Sequence, residues 1–172
     1  MKIVLIGYMG SGKTAVGQQL AEVLGVPFLD LDTQIEEATQ LSVSEIFEKK
    51  GEIFFRRKEF ETLQNLLTAD TSFVLATGGG TPCYGTSMQQ IKEAANTKSV
   101  FLHASLEVLS KRLFIEKSKR PLIAHLETEV LLNDFIRKHI FERNFYYQQA
   151  TFKVDANNEV AAVVAAIVIQ LF

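Results

Sequence analysis

Gly7-Tyr8-Met9-Gly10-Ser11-Gly12-Lys13-Thr14 fits the pattern G-x-x-x-x-G-K-[ST], and each specified position has a chemical task. The glycines let the backbone curl so that N–H groups along Gly10, Ser11, Gly12, Lys13, Thr14 and Ala15 converge on phosphate oxygens. A helix starting there adds the positive end of its dipole to the same anion site. Lys13 would reach the β- and γ-phosphates as a point charge. Thr14 offers a hard hydroxyl oxygen of the kind Mg²⁺ prefers. The loop therefore predicts a nucleoside triphosphate with Mg²⁺. ATPases, GTPase switches and small-molecule kinases share it, so it leaves the acceptor open.

Three further groups bear on the acceptor. Asp30 and Asp32 stand two residues apart; in an extended segment both carboxylates project from one side. Facing the loop, one could hold Mg²⁺ through water while the other deprotonates an attacking hydroxyl; otherwise the pair is a solvated turn with a helix cap. Gly51-Glu52-Ile53-Phe54-Phe55-Arg56-Arg57 places two arginines on an aromatic-rich helix. An arginine facing a cleft would hold a carboxylate through two parallel hydrogen bonds, and one facing away belongs to a surface charge cluster. Thr77-Gly78-Gly79-Gly80-Thr81-Pro82 carries three consecutive glycines. They mark either a close approach of ligand to backbone or a flexible loop. Tyr8 and Met9 either line the acceptor side or pack at the loop tip.

The elements that must position these groups follow from apolar periodicity. Short β-branched or apolar runs at Ile3–Ile6, Pro27–Leu31, Ser72–Ala76, Ser99–Leu102 and Thr151–Val154 read as strands. Val16, Leu20, Val23 and Leu24 share one helical face, stopped by Gly25. Two helices are expected between the second and third strands, around Val43–Glu48 and Phe54–Leu67. Leu106, Leu109 and Leu113 mark another, and Val130–Tyr147 a long one. Strands alternating with helices predict an α/β fold, a doubly wound parallel sheet covered on both faces in three layers. Ligands on such sheets bind beyond the carboxyl ends of the strands, which is where the loop, the Asp pair and the glycine triplet fall.

At ~150 residues per domain, 172 residues predict one domain spanning 1–172. A net charge of −2 lacks the cationic surplus that a polyanion demands, so no nucleic-acid partner is expected. The single Cys83 excludes an internal disulfide and points to a reducing, cytoplasmic compartment. Ile3–Ile6 is too short for a secretory signal. Val160–Phe172 would rise only ~20 Å as a helix against a bilayer core of ~30 Å. It is expected to pack as a terminal helix, capped by Asn157 or Asn158, with no membrane partner. His103, His125 and His139 share no metal-ligand spacing and are read as structural, and Cys83 as incidental.

Gly7–Thr14, Asp30-Leu31-Asp32, Gly51–Arg57 and Thr77–Gly80, in that order, together resemble the shikimate kinases. The likeness continues in Arg120-Pro121-Leu122-Ile123, similar to the family's lid motif, and in Arg143-Asn144-Phe145-Tyr146-Tyr147, similar to its Arg-x-x-x-Tyr segment. The resemblance implies the nucleoside monophosphate kinase fold, with five parallel strands and a mobile lid. It implies transfer of the γ-phosphoryl group of ATP to the 3-hydroxyl of shikimate, on the route to chorismate and the aromatic amino acids, by a monomer. Carried over, Asp32 binds the acceptor hydroxyls and is the base, with Asp30 supporting Mg²⁺ through water. Arg56 and Arg143 grip the carboxylate, and the triplet Gly78, Gly79 and Gly80 fixes the ring through the Gly79 N–H. Arg120 swings in with the lid to the ATP phosphates, and Arg112 lies against adenine. The acceptor region falls at about 32–62 and the lid at about 115–127. Two departures stand out: the lid carries no glycine, and Asp155–Glu159 lacks the arginine and proline often found near adenine in the family.

Both implied ligands are anionic. Lys13, Arg56, Arg112, Arg120 and Arg143 are thus expected to converge on one cleft, with the surplus acids elsewhere. Two other readings use the same loop: a kinase of this fold for another acceptor, such as gluconate or a nucleoside monophosphate, and a nucleotide-binding regulatory module without turnover. A nucleotide acceptor would ask for more base-reading polar groups between Asp32 and Arg56.

Overall fold

Strand β1 (Lys2–Ile6) is buried along its whole length, as a strand covered by helices on both faces must be. It pairs in parallel with β3 (Phe73–Ala76) on one side and β4 (Thr97–His103) on the other. β2 (Phe28–Asp30) extends the sheet beyond β3, and β5 (Phe152–Asp155) extends it beyond β4. The order is β2-β3-β1-β4-β5, all parallel. Because the chain departs to opposite sides of β1, its carboxyl end is the topological switch point, where such sheets open a crevice. The computed structural model describes residues 1–172, apart from the side chains of Lys119 and Pro121. These two belong to the expected lid, and any part their side chains play there lies outside the described residues.

Helix α1 (Lys13–Leu24) buries Val16 and Leu20 against the sheet and ends at Gly25 in the left-handed conformation, as its periodicity predicts. α6 (Leu106–Glu116) and α8 (Glu129–Tyr147) also stand where expected and pack on each other. The segment between β2 and β3 differs from expectation. It holds three helices, α2 (Leu31–Thr39), α3 (Val43–Lys49) and α4 (Glu52–Thr68), rather than two. α2 buries only Leu31 and Ile35, so its apolar signal is thin and merges with the strand before it. α5 (Ser87–Glu93) is likewise short and was not legible.

After α6, a 3₁₀ turn (Lys117–Lys119) leads into the four-residue helix α7 (Pro121–Ala124). Ile123 is fully buried and Lys117 Nζ donates to the carbonyls of Leu126 and Glu127. The terminal helix α9 (Val160–Leu171) packs on α1, but neither Asn157 nor Asn158 caps it. Glu159 precedes it without a side-chain cap. The Asn157 carboxamide instead accepts from the Ser105 N–H at 2.8 Å and bonds Asp155, fastening the β5–α9 loop to the start of α6. Among the described residues no helix is long and apolar enough to cross a membrane.

Candidate active site

Gly12 precedes α1 with φ 93° and ψ 14°, a left-handed turn that a residue with a Cβ rarely adopts. This turn delivers the N–H groups of the first turn of α1 to the end of β1. Lys13, itself buried, folds back to donate to the carbonyls of Gly7 at 2.8 Å and Tyr8 at 2.9 Å. Burial first, and then the nearby Arg120 cation, lower its ammonium to a pKa of about 8. Ser11 Oγ lies buried in the same loop with no hydrogen-bond partner among the described residues.

A cavity of about 480 Å³ opens over this loop. It is lined by Gly10 through Ala15, Asp30, Asp32, Gly78, Gly79, Arg112 and Arg120, so most of the expected residues meet there. Met9 lines it too, whereas Tyr8 turns into the core at 2% exposure and bonds His139 Nδ1 at 3.1 Å. Gly79 needs to be a glycine because of close approach: a Cβ there would stand 3.1 Å from the Met9 nitrogen, so the triplet lies directly on the phosphate loop.

The Asp pair is not extended. Asp30 is the N-cap of α2, accepting from the Asp32 N–H at 3.1 Å, and Asp32 sits in the first helical turn. The helix-cap reading therefore holds, and both carboxylates still line the cavity. Asp30 Oδ2 lies 3.4 Å from the Thr14 hydroxyl oxygen. These are two hard donors of the class Mg²⁺ takes, and its remaining positions would fall to waters and phosphate oxygens. Asp32 is pushed up to a pKa of about 6, by burial first and then by the charges of Asp30 and Glu59. A carboxylate so poised can accept a proton near neutrality.

Arg56, Gly80 and Arg143 do not line this cavity. A Cβ on Gly80 would stand 3.2 Å from Arg56 Nη2, and one on Gly78 would stand 3.4 Å from Glu59 Oε1 and 3.7 Å from Asp32 Oδ1. The triplet thus spans from Asp32 to Arg56. Arg143 has Tyr8 within 5.9 Å of its guanidinium, and its charge acts on Lys13 and on Cys83. Four residues on, one helical turn along the same face, the buried Tyr147 hydroxyl donates to the Gly79 carbonyl. The Arg-x-x-x-Tyr spacing therefore brings a cation and an anchor for the glycine triplet to one side of α8. Burial raises the Cys83 thiol to about 11, which keeps it unreactive.

The expected separation of charge does not hold. The cavity wall carries Lys13, Arg112 and Arg120, but also Asp30, Asp32 and Glu116. Arg120 Nη2 is paired with Glu116 at 2.8 Å, and its Nε is buried with no hydrogen-bond partner among the described residues. Arg112 donates to the carbonyls of Gly10 and Ala156, both at 3.2 Å, tying the phosphate loop to the β5–α9 loop. The wall is therefore balanced rather than strongly positive.

Sequence reasoning missed Glu59. It is 2% exposed, and accepts from Arg56 Nη1 at 2.8 Å and from Thr81 Oγ1 at 2.6 Å. Its neighbours Arg57, Lys58 and Glu61 make it look like one more surface charge. A spacing of three from Arg56 on one helix was the only available signal.

A phosphate loop at the switch point of a parallel sheet, facing a poised carboxylate and a glycine-lined recess, defines a P-loop phosphotransferase of the small-molecule kinase class. The family model described as shikimate kinase matches residues 9–172. The shikimate kinase of Flavobacterium johnsoniae is 46% identical over 157 residues, 91% of this chain and 90% of its own. Among solved structures, the shikimate kinase of Bacteroides thetaiotaomicron superposes with TM-score 0.90 at 35% identity, over 99% of this chain and 98% of the other. That of Acinetobacter baumannii, in complex with shikimate, gives 0.83 at 35% identity, over 99% and 91%. The chain belongs to the shikimate kinase family.

Proposed function

We propose that this chain transfers the γ-phosphoryl group of ATP to the 3-hydroxyl of shikimate, giving shikimate 3-phosphate and ADP. The observation that carries the reading is that Lys13 and Asp32 line one cavity while the glycine triplet runs from Asp32 to Arg56, which supports a phosphate site, a base and a carboxylate site side by side. Asp32 orients the acceptor hydroxyl and takes its proton as the new P–O bond forms and the bond to the ADP oxygen breaks. Lys13 leaves the Gly7 and Tyr8 carbonyls for the phosphate oxygens, and Arg120 adds a second cation to the transferring group. Thr14 and, through water, Asp30 would hold Mg²⁺, which offsets phosphate charge when bound. Arg56 and Arg143 hold the shikimate carboxylate, and the Gly79 N–H, flanked by Gly78 and Gly80, steadies the ring. Arg112 lies beside the adenine. Residues 115–127 close over the nucleotide as a lid and exclude water. The chain works as a single domain over 1–172, with its acceptor region at about 32–62, as a cytoplasmic monomer.

The test is release of ADP from ATP and Mg²⁺ on addition of shikimate; release no greater than in the shikimate-free control overturns the reading. The pH dependence follows from the two shifted groups. Asp32 must be ionised, so kcat/KM falls as pH drops through about 6. Lys13 must be protonated, so kcat/KM falls again as pH rises through about 8. A bell between these limbs is expected in a kcat/KM profile of the free enzyme. Arg143→Lys keeps the charge but loses the planar fork. The KM for shikimate is expected to rise about 10- to 100-fold with the KM for ATP little changed, and equal losses count against a carboxylate grip.

A further inference from the structure

Arg56 is held far more closely than recognition of a carboxylate by a lone cation would need. Its Nη1 donates to Glu59 at 2.8 Å, and its Nε lies 3.5 Å from Glu52 Oε1. That same Glu52 oxygen accepts from the Tyr84 hydroxyl at 3.2 Å. The Tyr84 ring in turn covers the guanidinium, whose central carbon lies 3.7 Å from the ring centroid. Gly80 makes room for this stack: a Cβ there would stand 3.2 Å from Arg56 Nη2 and 3.3 Å from Tyr84 Cε2. Two edges of the guanidinium and one face are therefore occupied, and Nη2 has no hydrogen bond among the described residues.

From this arrangement we infer that Tyr84 is a positioning residue for acceptor recognition. Its ring fixes the plane of Arg56, and its hydroxyl, tied to Glu52, fixes the ring, so that Nη2 is presented to the acceptor carboxylate. The inference rests on the acceptor reading above. A guanidinium loses rotamer freedom on binding, and a planar aromatic face removes that freedom beforehand without competing for its N–H donors. Tyr84 is itself more than a third exposed, so the ring has little core packing to lose. Among the described residues no such stack covers Arg143, whose guanidinium carbon lies 5.9 Å from the Tyr8 ring centroid. Arg56 therefore supplies the fixed prong of the grip, presenting Nη2 alone rather than a two-nitrogen fork.

Two variants separate the ring from the hydroxyl. Tyr84→Leu is expected to raise the KM for shikimate roughly threefold to thirtyfold, the range of a partly desolvated cation–aromatic contact, with the KM for ATP unchanged. Tyr84→Phe keeps the stack and restores most of the loss. With an analogue of the acceptor that lacks the carboxyl group altogether, wild type and Tyr84→Leu are expected to agree within about twofold, because the contact being positioned is absent. NMR relaxation of the Arg56 Nε–H in the substrate-free protein is the readout that does not pass through turnover: it reports an ordered guanidinium in wild type and Tyr84→Phe, and a mobile one in Tyr84→Leu. Unchanged Arg56 order in Tyr84→Leu, or equal changes in both KM values, overturns the positioning role. Loss of Arg56 order in a protein that does not phosphorylate shikimate strikes the acceptor reading and leaves the effect of Tyr84 on Arg56 standing.

Discussion

Asp32→Asn is expected to lower shikimate-dependent turnover by about 10²- to 10⁴-fold, the usual worth of a positioned general base, and to raise the thermal midpoint at pH 7. The carboxamide has the shape of the carboxylate but cannot take the hydroxyl proton. The N-cap contact survives, since Asp32 contributes only its backbone N–H to Asp30. The gain in stability follows from linkage. Asp32 titrates near 6 in the fold against an ordinary value of 3.8, so the folded state disfavours the charged form, through burial and the neighbouring Asp30 and Glu59 charges. That cost is absent below about 3.8, grows as pH rises from there to about 6, and is fully present at pH 7. Removing the charge relieves it. Calorimetry of both proteins at pH 7 and pH 5 checks the sign, because pH 5 lies inside that window and the advantage of Asp32→Asn should be smaller there. Retained turnover would remove Asp32 from the chemistry, and an advantage independent of pH would remove the charge from the argument. Such a pairing of lost function with gained stability is expected where an active site keeps a desolvated charge.

The parts of the fold that could be read from sequence are those in which one face of an element decides its burial. All five strands and the helices α1, α6 and α8 carry enough apolar positions at one period to announce themselves. α2 did not, because a short helix with Leu31 and Ile35 as its buried residues offers two signals in nine residues, and its first residue completes an apolar run begun in β2. Asp32 was therefore assigned the right place and the wrong backbone. The phosphate loop was legible because its chemistry is local: eight consecutive residues contain the whole device. Residue type alone marked the arginines of α4 and the glycine triplet with an alternative still open for each, and only the family likeness singled out Arg143, since these residues lie on α4, the β3–α5 connection and α8. Glu59 and Tyr84 were invisible for the same reason. One looks like a surface charge and the other like a loop aromatic, and only tertiary packing puts both on the same guanidinium.

Glu59→Ala carries the largest expected effect on stability. Arg56 is 22% exposed in its side chain and Glu59 only 3%, so deleting the acid strands a largely buried cation and leaves the buried Thr81 hydroxyl without its acceptor. Breaking such a pair from one side costs about 3–5 kcal/mol, which at this chain length corresponds to a fall of about 6–20 °C in the thermal midpoint. Glu59→Gln separates charge from hydrogen bonding. Its carbonyl oxygen can still accept from Thr81, so the fall in midpoint should be smaller, and the variant should remain assayable. The Glu59 charge is one of the causes that lift Asp32. Its removal should therefore carry the acid limb of the kcat/KM profile below pH 6, widening the bell on that side only, while the limb set by Lys13 stays near 8. The KM for shikimate should rise with it, because Arg56 loses its shortest tether. A destabilised Glu59→Gln protein with an unmoved acid limb would mean that Glu59 acts on the fold alone. A moved limb, with the alkaline side unchanged, ties the buried acid to the proton affinity of the base through the charge they share across Gly78.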